Sequence, residues 1–118
     1  MSSVSERVDG LVEYIQTSKI LEAMTEFYSA DTVMVEGNGD ATSGLDANIE
    51  REKQFLAQVK EFKSFNVLKR AETDTHSFLE TTMEFVNQEG QDVKLEQVHV
   101  QTWQDGKISR ERFYYFGG

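Results

Sequence analysis

The chain of 118 residues has no cysteine and no proline. Without cysteine there is no disulfide framework, no zinc–thiolate centre, no thiol redox chemistry and no thiol nucleophile. Such a chain fits the cytoplasm, which is the expected location. Without proline, glycines and capping residues must mark the breaks. Long apolar runs are also missing. The longest, Phe113 to Phe116, is far too short to span a bilayer. Met1 to Glu6 shows neither a basic start nor an apolar stretch, so no secretory signal is expected. Basic residues are few, 12 Lys and Arg against 21 Asp and Glu, for a net charge of −9. The acidic excess is spread over both halves, and the densest basic string, Arg110-Glu111-Arg112, is interrupted by an acid. Phosphate backbones and anionic membranes need clustered cations, so neither is an expected partner. The two histidines, His76 and His99, have no ligand-like spacing, so no metal and no cofactor are expected. Gly37 to Gly44 holds three glycines but lacks the Lys-Ser/Thr ending of a phosphate cradle and reads as a turn. No nucleophile-elbow string is present.

Repeats and linkers are absent, and the length fits one domain over residues 1–118. Val4, Val8, Leu11, Val12 and Ile15 recur at helical spacing, and Ile20, Leu21, Met24, Phe27 and Tyr28 form a second stripe. Two amphipathic helices are therefore predicted over 4–28, with a break near 16–18. Asp31 to Glu36 reads as a short strand. Ser43-Gly44-Leu45-Asp46 has the character of a capping box opening a third helix, whose apolar face carries Leu45, Ile49, Leu56 and Val59, flanked by Phe55 and Phe62. Glu52 falls inside that face. From residue 62 the pattern is β, with strands expected near 63–72, 76–87, 93–104 and 107–116 and a turn at Gly90.

Asp105-Gly106 is a strong signal for a two-residue hairpin, because both central positions need positive φ. A regular ladder from that turn sets Trp103 opposite Ile108, Gln101 opposite Arg110 and His99 opposite Arg112. One face then carries Gln97, His99, Gln101, Trp103, Arg110 and Arg112. The other carries Val98, Val100, Glu111, Phe113 and Tyr115. A bulge in the last strand would shift its half by one. Helices followed by a long antiparallel sheet make an α+β plan: three N-terminal helices on a strongly curved, mostly antiparallel sheet. Such a cone-shaped α+β barrel leaves room for a pocket.

Three strings carry a family resemblance: Phe27 to Glu36, Ser43 to Ile49, and Trp103-Gln104-Asp105-Gly106-Lys107-Ile108. Together they resemble the SnoaL-like branch of the nuclear-transport-factor-2-like superfamily. That superfamily includes ketosteroid isomerases, polyketide cyclases, dehydratases, epoxide hydrolases and members without chemistry. The resemblance implies a cone with a small-molecule pocket at its open end, and a homodimer formed through the outer sheet face. It also implies roles. Glu36 stands where isomerases hold their carboxylate base, His99 where cyclases hold a histidine, and Tyr14 on the helix that supplies isomerases with an oxyanion donor. A second acid is expected on the last strand of a cyclase. The regular count places Phe113 there, so the acid–base pair is incomplete unless a bulge exchanges it for Glu111. The epoxide hydrolases' Asp-Arg-Asp set has no counterpart.

Each candidate has a plain structural alternative. Glu36 as a buried base would have a raised pKa, or it is a solvated strand-end acid. His99 would donate to a developing oxyanion, or it is a strand histidine satisfied across the sheet. Tyr14 is either a donor or an amphipathic residue at the core's edge. Glu52 either projects into the cavity or reaches water or a cation. Met34, Phe55, Gln101 and Trp103 complete the expected ligand-binding wall, with core packing as the alternative for Trp103. The expectation is thus a pocket for a small hydrophobic compound, with proton transfer next to a carbonyl catalysed by Glu36, His99 and Tyr14. The alternative is a non-catalytic hydrophobic-ligand-binding or dimerisation module.

Overall fold

The structure, a computed structural model, describes residues 3–115. Its elements run α1 (Val4–Gln16), α2 (Ile20–Phe27), β1 (Tyr28–Val35), β2 (Ala41–Ser43), α3 (Leu45–Leu56), β3 (Val59–Glu72), β4 (His76–Asn87), β5 (Asp92–Gln104) and β6 (Lys107–Tyr115). They form the expected α+β architecture, three helices on a six-stranded sheet of order β2-β1-β6-β5-β4-β3. All pairings are antiparallel except β1 with β6. The sheet curls round the helices and keeps two free edges, β2 and β3, rather than closing into a barrel. No helix among the described residues is long and apolar enough to cross a membrane.

The sequence accounts for most boundaries. Ser3 caps α1 in a capping box with Glu6. The α1–α2 break contains Ser18 at φ 63°, a left-handed residue that reverses the chain without glycine. The apolar stripes of α1 and α2 meet in a core of Val8, Leu11, Met24 and Phe27. Leu79, Trp103 and Ile108 pack against them from the sheet. Arg70 of β3 fastens α1 from outside through Asp9, at 2.7 Å.

Four expectations need correction. Gly44, at φ 95°, is the N-cap of α3, with no side-chain hydrogen bond, and Ser43 is spent in β2. The α3 entry is held instead by Asn48, whose amide donates to the carbonyls of Thr42 (2.9 Å) and Gly44 (2.8 Å). The helix ends at Leu56, so Val59 and Phe62 belong to β3. The first strand starts earlier than expected, at Tyr28, and Glu36 lies just past its end.

The fourth correction decides the site. The Asp105-Gly106 turn has both positive φ values, 53° and 77°, and Trp103 pairs with Ile108. The register then shifts, because Thr102 pairs with Arg110 and Ser109 is the extra residue of a bulge. Gln101 consequently faces Glu111, and His99 faces Phe113. Period two carries this along the strand. Glu111, Phe113 and Tyr115 turn toward the helices. Arg110 and Arg112 turn outward with Val98, Val100 and Tyr114. The apolar outer patch therefore lacks Phe113 and Tyr115, and its exposed aromatics are Phe78 and Tyr114.

Candidate functional site

A cavity of about 300 Å³ lies between the helices and the concave sheet face. Its walls are mostly apolar, with Ile20, Met24, Met34, Phe55, Phe65 and Phe113 prominent. Cavities of this size and character suit small organic molecules.

Its floor is a carboxylate. Glu111 is 1% exposed, and it accepts hydrogen bonds from three sides. The Tyr28 hydroxyl donates to Oε1. Gln101 Nε2 donates to Oε2 at 2.7 Å, and His99 Nδ1 approaches the same oxygen at 3.1 Å. A carboxylate oxygen accepts, so Nδ1 carries the hydrogen and Nε2 meets the Thr81 hydroxyl at 3.0 Å. Gln101 is itself oriented: its Oε1 accepts from Ser77 Oγ at 2.6 Å, and Ser77 accepts from Trp103 Nε1 at 2.8 Å. One chain of bonds thus runs from the indole in the core to the acid in the cavity. Burial first, then the charge of Glu111, pushes the Tyr28 phenol well above its ordinary pKa.

The mouth is a second polar cluster. Arg51 Nη2 donates to Glu36 Oε1 at 2.5 Å, and the Tyr115 hydroxyl donates to Oε2. Arg51 Nη1 also holds Thr42 Oγ1 at 2.8 Å. Both oxygens of Glu36 are therefore occupied. Tyr115 lies so close over Gly37 that a Cβ there would collide with its ring. Partial burial of its hydroxyl, then its bond to Glu36, raises the Tyr115 pKa, although half of the residue is exposed.

Glu52 lines the cavity between these clusters, and among the described residues no hydrogen bond or ion pair engages it. Its pKa is raised to about 7, with burial the largest cause. The charges of Glu111 and Glu36 add to that, and Arg51 partly opposes it. A carboxyl with that pKa can take up or release a proton near neutral pH.

Five of the residues singled out from the sequence line the cavity: Met34, Glu36, Glu52, Phe55 and His99. Three do not. Tyr14 packs edge-on against Phe27, with centroids 5.3 Å apart, because it sits on the flank of α1 that faces α2. Gln101 and Trp103 lie beneath the floor, supporting Glu111 from behind. Sequence reasoning passed over Tyr28, Arg51, Gln97 and Tyr115, which also line it. Tyr28 was hidden because it closes a helical stripe, and Tyr115 because the bulge reverses its face.

The sequence pattern of the SnoaL-like domain matches residues 8–111. The chain belongs to the SnoaL-like domain family. Among curated proteins no sequence matches it. Solved structures share this SnoaL-like domain's fold at low identity. A candidate SnoaL-like polyketide cyclase from Mesorhizobium loti superposes with a TM-score of 0.79 at 19% identity, covering 97% of this chain and 100% of that one. A nuclear-transport-factor-2-like protein of unknown function from Burkholderia pseudomallei gives 0.82 at 16%, covering 98% and 92%. A protein with a ketosteroid-isomerase-like fold from Catenulispora acidiphila, in complex with trimethylamine, gives 0.77 at 14%, covering 97% and 87%. At such identities the likeness is one of fold.

Proposed function

We propose that this SnoaL-like domain is an enzyme that moves a proton next to the carbonyl of a small hydrophobic compound, as isomerases, cyclases and dehydratases do. The observation that carries this reading is Glu52, a carboxyl without a partner among the described residues, in an apolar chamber and poised near neutrality. In this reading Glu52 takes the proton from the carbon beside the carbonyl, leaving an enolate, and returns it to that carbon or to a conjugated one. Glu36, the base expected from the resemblance, is tied to Arg51 and Tyr115. Glu111 is a positioning residue whose charge helps hold the Glu52 proton. His99 spends both ring nitrogens on Glu111 and Thr81 and serves that floor.

The test is hydrogen–deuterium exchange at the α-carbons of 2-tetralone in D2O, followed by NMR. The wild type should accelerate exchange over buffer, and Glu52→Gln should lose about a hundredfold or more. Equal rates in both would remove Glu52 from the role. Binding without any acceleration would favour the non-catalytic ligand-binding module.

We further propose a homodimer through the outer sheet face. Phe78 and Tyr114, 40% and 46% exposed, stand beside Val100 and Val98 there, with Arg112 and Glu80 on the opposite sides of the two valines.

A further inference from the structure

We infer that the amide of Gln97 is the group that receives the ligand's oxygen, so that the cavity selects an uncharged carbonyl compound. This rests on the reading of the cavity as a small-molecule site and names the contact that reading lacks.

Within the cavity, Glu36, Glu111, His99, Tyr28 and Arg51 all have protein partners. Among the described residues two groups do not: Glu52 and Gln97. Gln97 is 7% exposed, lines the cavity, and has no hydrogen bond to its side chain among the described residues. Gln97 is not among the residues with buried unpaired side-chain atoms, so its amide opens on the cavity with two donors and an acceptor available. Its position is fixed from both sides, opposite Thr81 on β4 and Tyr115 on β6. It is two residues from His99 on the same strand face, on the side away from the Asp105-Gly106 turn. No side-chain hydrogen bond among the described residues uses it, so it is free to meet a ligand group.

The surroundings say which group. Three carboxyls, Glu36, Glu52 and Glu111, line the cavity against one guanidinium, and Arg51 is already bonded to Glu36. An anionic ligand would be repelled. An amide N–H donates, and a neutral carbonyl oxygen accepts without bringing charge. A carbonyl held by Gln97 would have its developing negative charge met by that donor, while the adjacent C–H faces the partnerless Glu52.

The experiment compares 2-tetralone with its hydrocarbon counterpart, tetralin, in the wild type and Gln97→Met. Affinity is measured by titration, and the carbonyl stretch of bound, isotope-labelled tetralone by infrared difference. Gln97→Met should weaken tetralone about tenfold, the effect of one hydrogen bond. Tetralin affinity should be unchanged, which also shows that the variant is folded with its cavity intact. The stretch should lie at lower frequency in the wild type than in Gln97→Met. An equal stretch in the two proteins, equal losses for both ligands, or failure of wild-type protein to bind tetralone would each overturn the assignment. A lowered stretch without α-exchange would leave the Gln97 contact standing and sink the proton-transfer reading. Exchange with an unmoved stretch would do the reverse.

Discussion

Gln101 lies opposite Glu111 across the β5–β6 ladder and donates to it at 2.7 Å, with both residues 1% exposed. The bond closes a relay from Trp103 through Ser77 to the cavity floor. Replacing Glu111 by Leu strands three donors, on Tyr28, Gln101 and His99. That should cost about 2–4 kcal/mol in urea unfolding. Glu111→Gln keeps the shape and removes the charge. The Glu52 carboxyl should then titrate lower by carbon-detected NMR, since the Glu111 charge is among the causes that raise it. An unmoved Glu52 titration would mean that Glu111 does not act on it.

Glu52 also sets a pH dependence of stability. Its folded pKa, about 7, lies above the ordinary value of 4.5. Between those values the folded chain holds more protons at this site than the unfolded chain. Stability from this group is therefore full below about pH 4.5 and falls as pH rises through 7. Glu52→Gln should remove that slope. It should stabilise the protein at pH 8 by about 1–2 kcal/mol, allowing for screening at the cavity's open side, and by little at pH 5. Melting curves at the two pH values check this, and a gain equal at both would refute it.

These two carboxyls also mark how far the site is legible in the sequence. Helical stripes announce α1 and α2, and Asp105-Gly106 fixes the last hairpin, because both signals depend on local geometry. Glu52 is visible as a charge inside an apolar stripe. Glu111 is visible only as an alternative, because its face depends on one extra residue, Ser109, that carries no mark of its own. A bulge without glycine is chosen by packing on both sides of the strand, which no local pattern encodes. The same holds for β2, whose three residues pair with β1 only once Gly37 to Asp40 has turned the chain. Glu36 was recognisable by position, but its occupation by Arg51 and Tyr115 rests on contacts across 15 and 79 residues.

The mouth offers a test of how tightly it is built. Gly37→Ala places a methyl group against the Tyr115 ring, so the ring must move and release Glu36. We expect a loss of about 1–3 kcal/mol, as for other overpacked sites. Tyr115→Phe removes the same hydrogen bond without the clash, and should cost about 1 kcal/mol or less at this exposed position. If the two variants melt together, the clash at Gly37 is absorbed elsewhere and the close approach is not a constraint.

The outer face gives the last prediction. Phe78 stands beside Val100 and Arg112 in the ladder, and Tyr114 beside Val98, so these side chains share one side of the sheet. The Arg112 guanidinium lies over the Tyr114 ring at 5.0 Å, which holds that ring against the patch. Two such faces brought together would bury the aromatics in a self-complementary interface. Sedimentation velocity at micromolar concentration should give a dimer. Phe78→Glu sets a like charge against its own copy and should yield monomers. The melting temperature measured at a concentration where the wild type is itself dissociated should barely change, because Phe78 is 40% exposed in the single chain. A wild type that sediments as a monomer would refute the interface outright. A dimer untouched by Phe78→Glu would move it to another face.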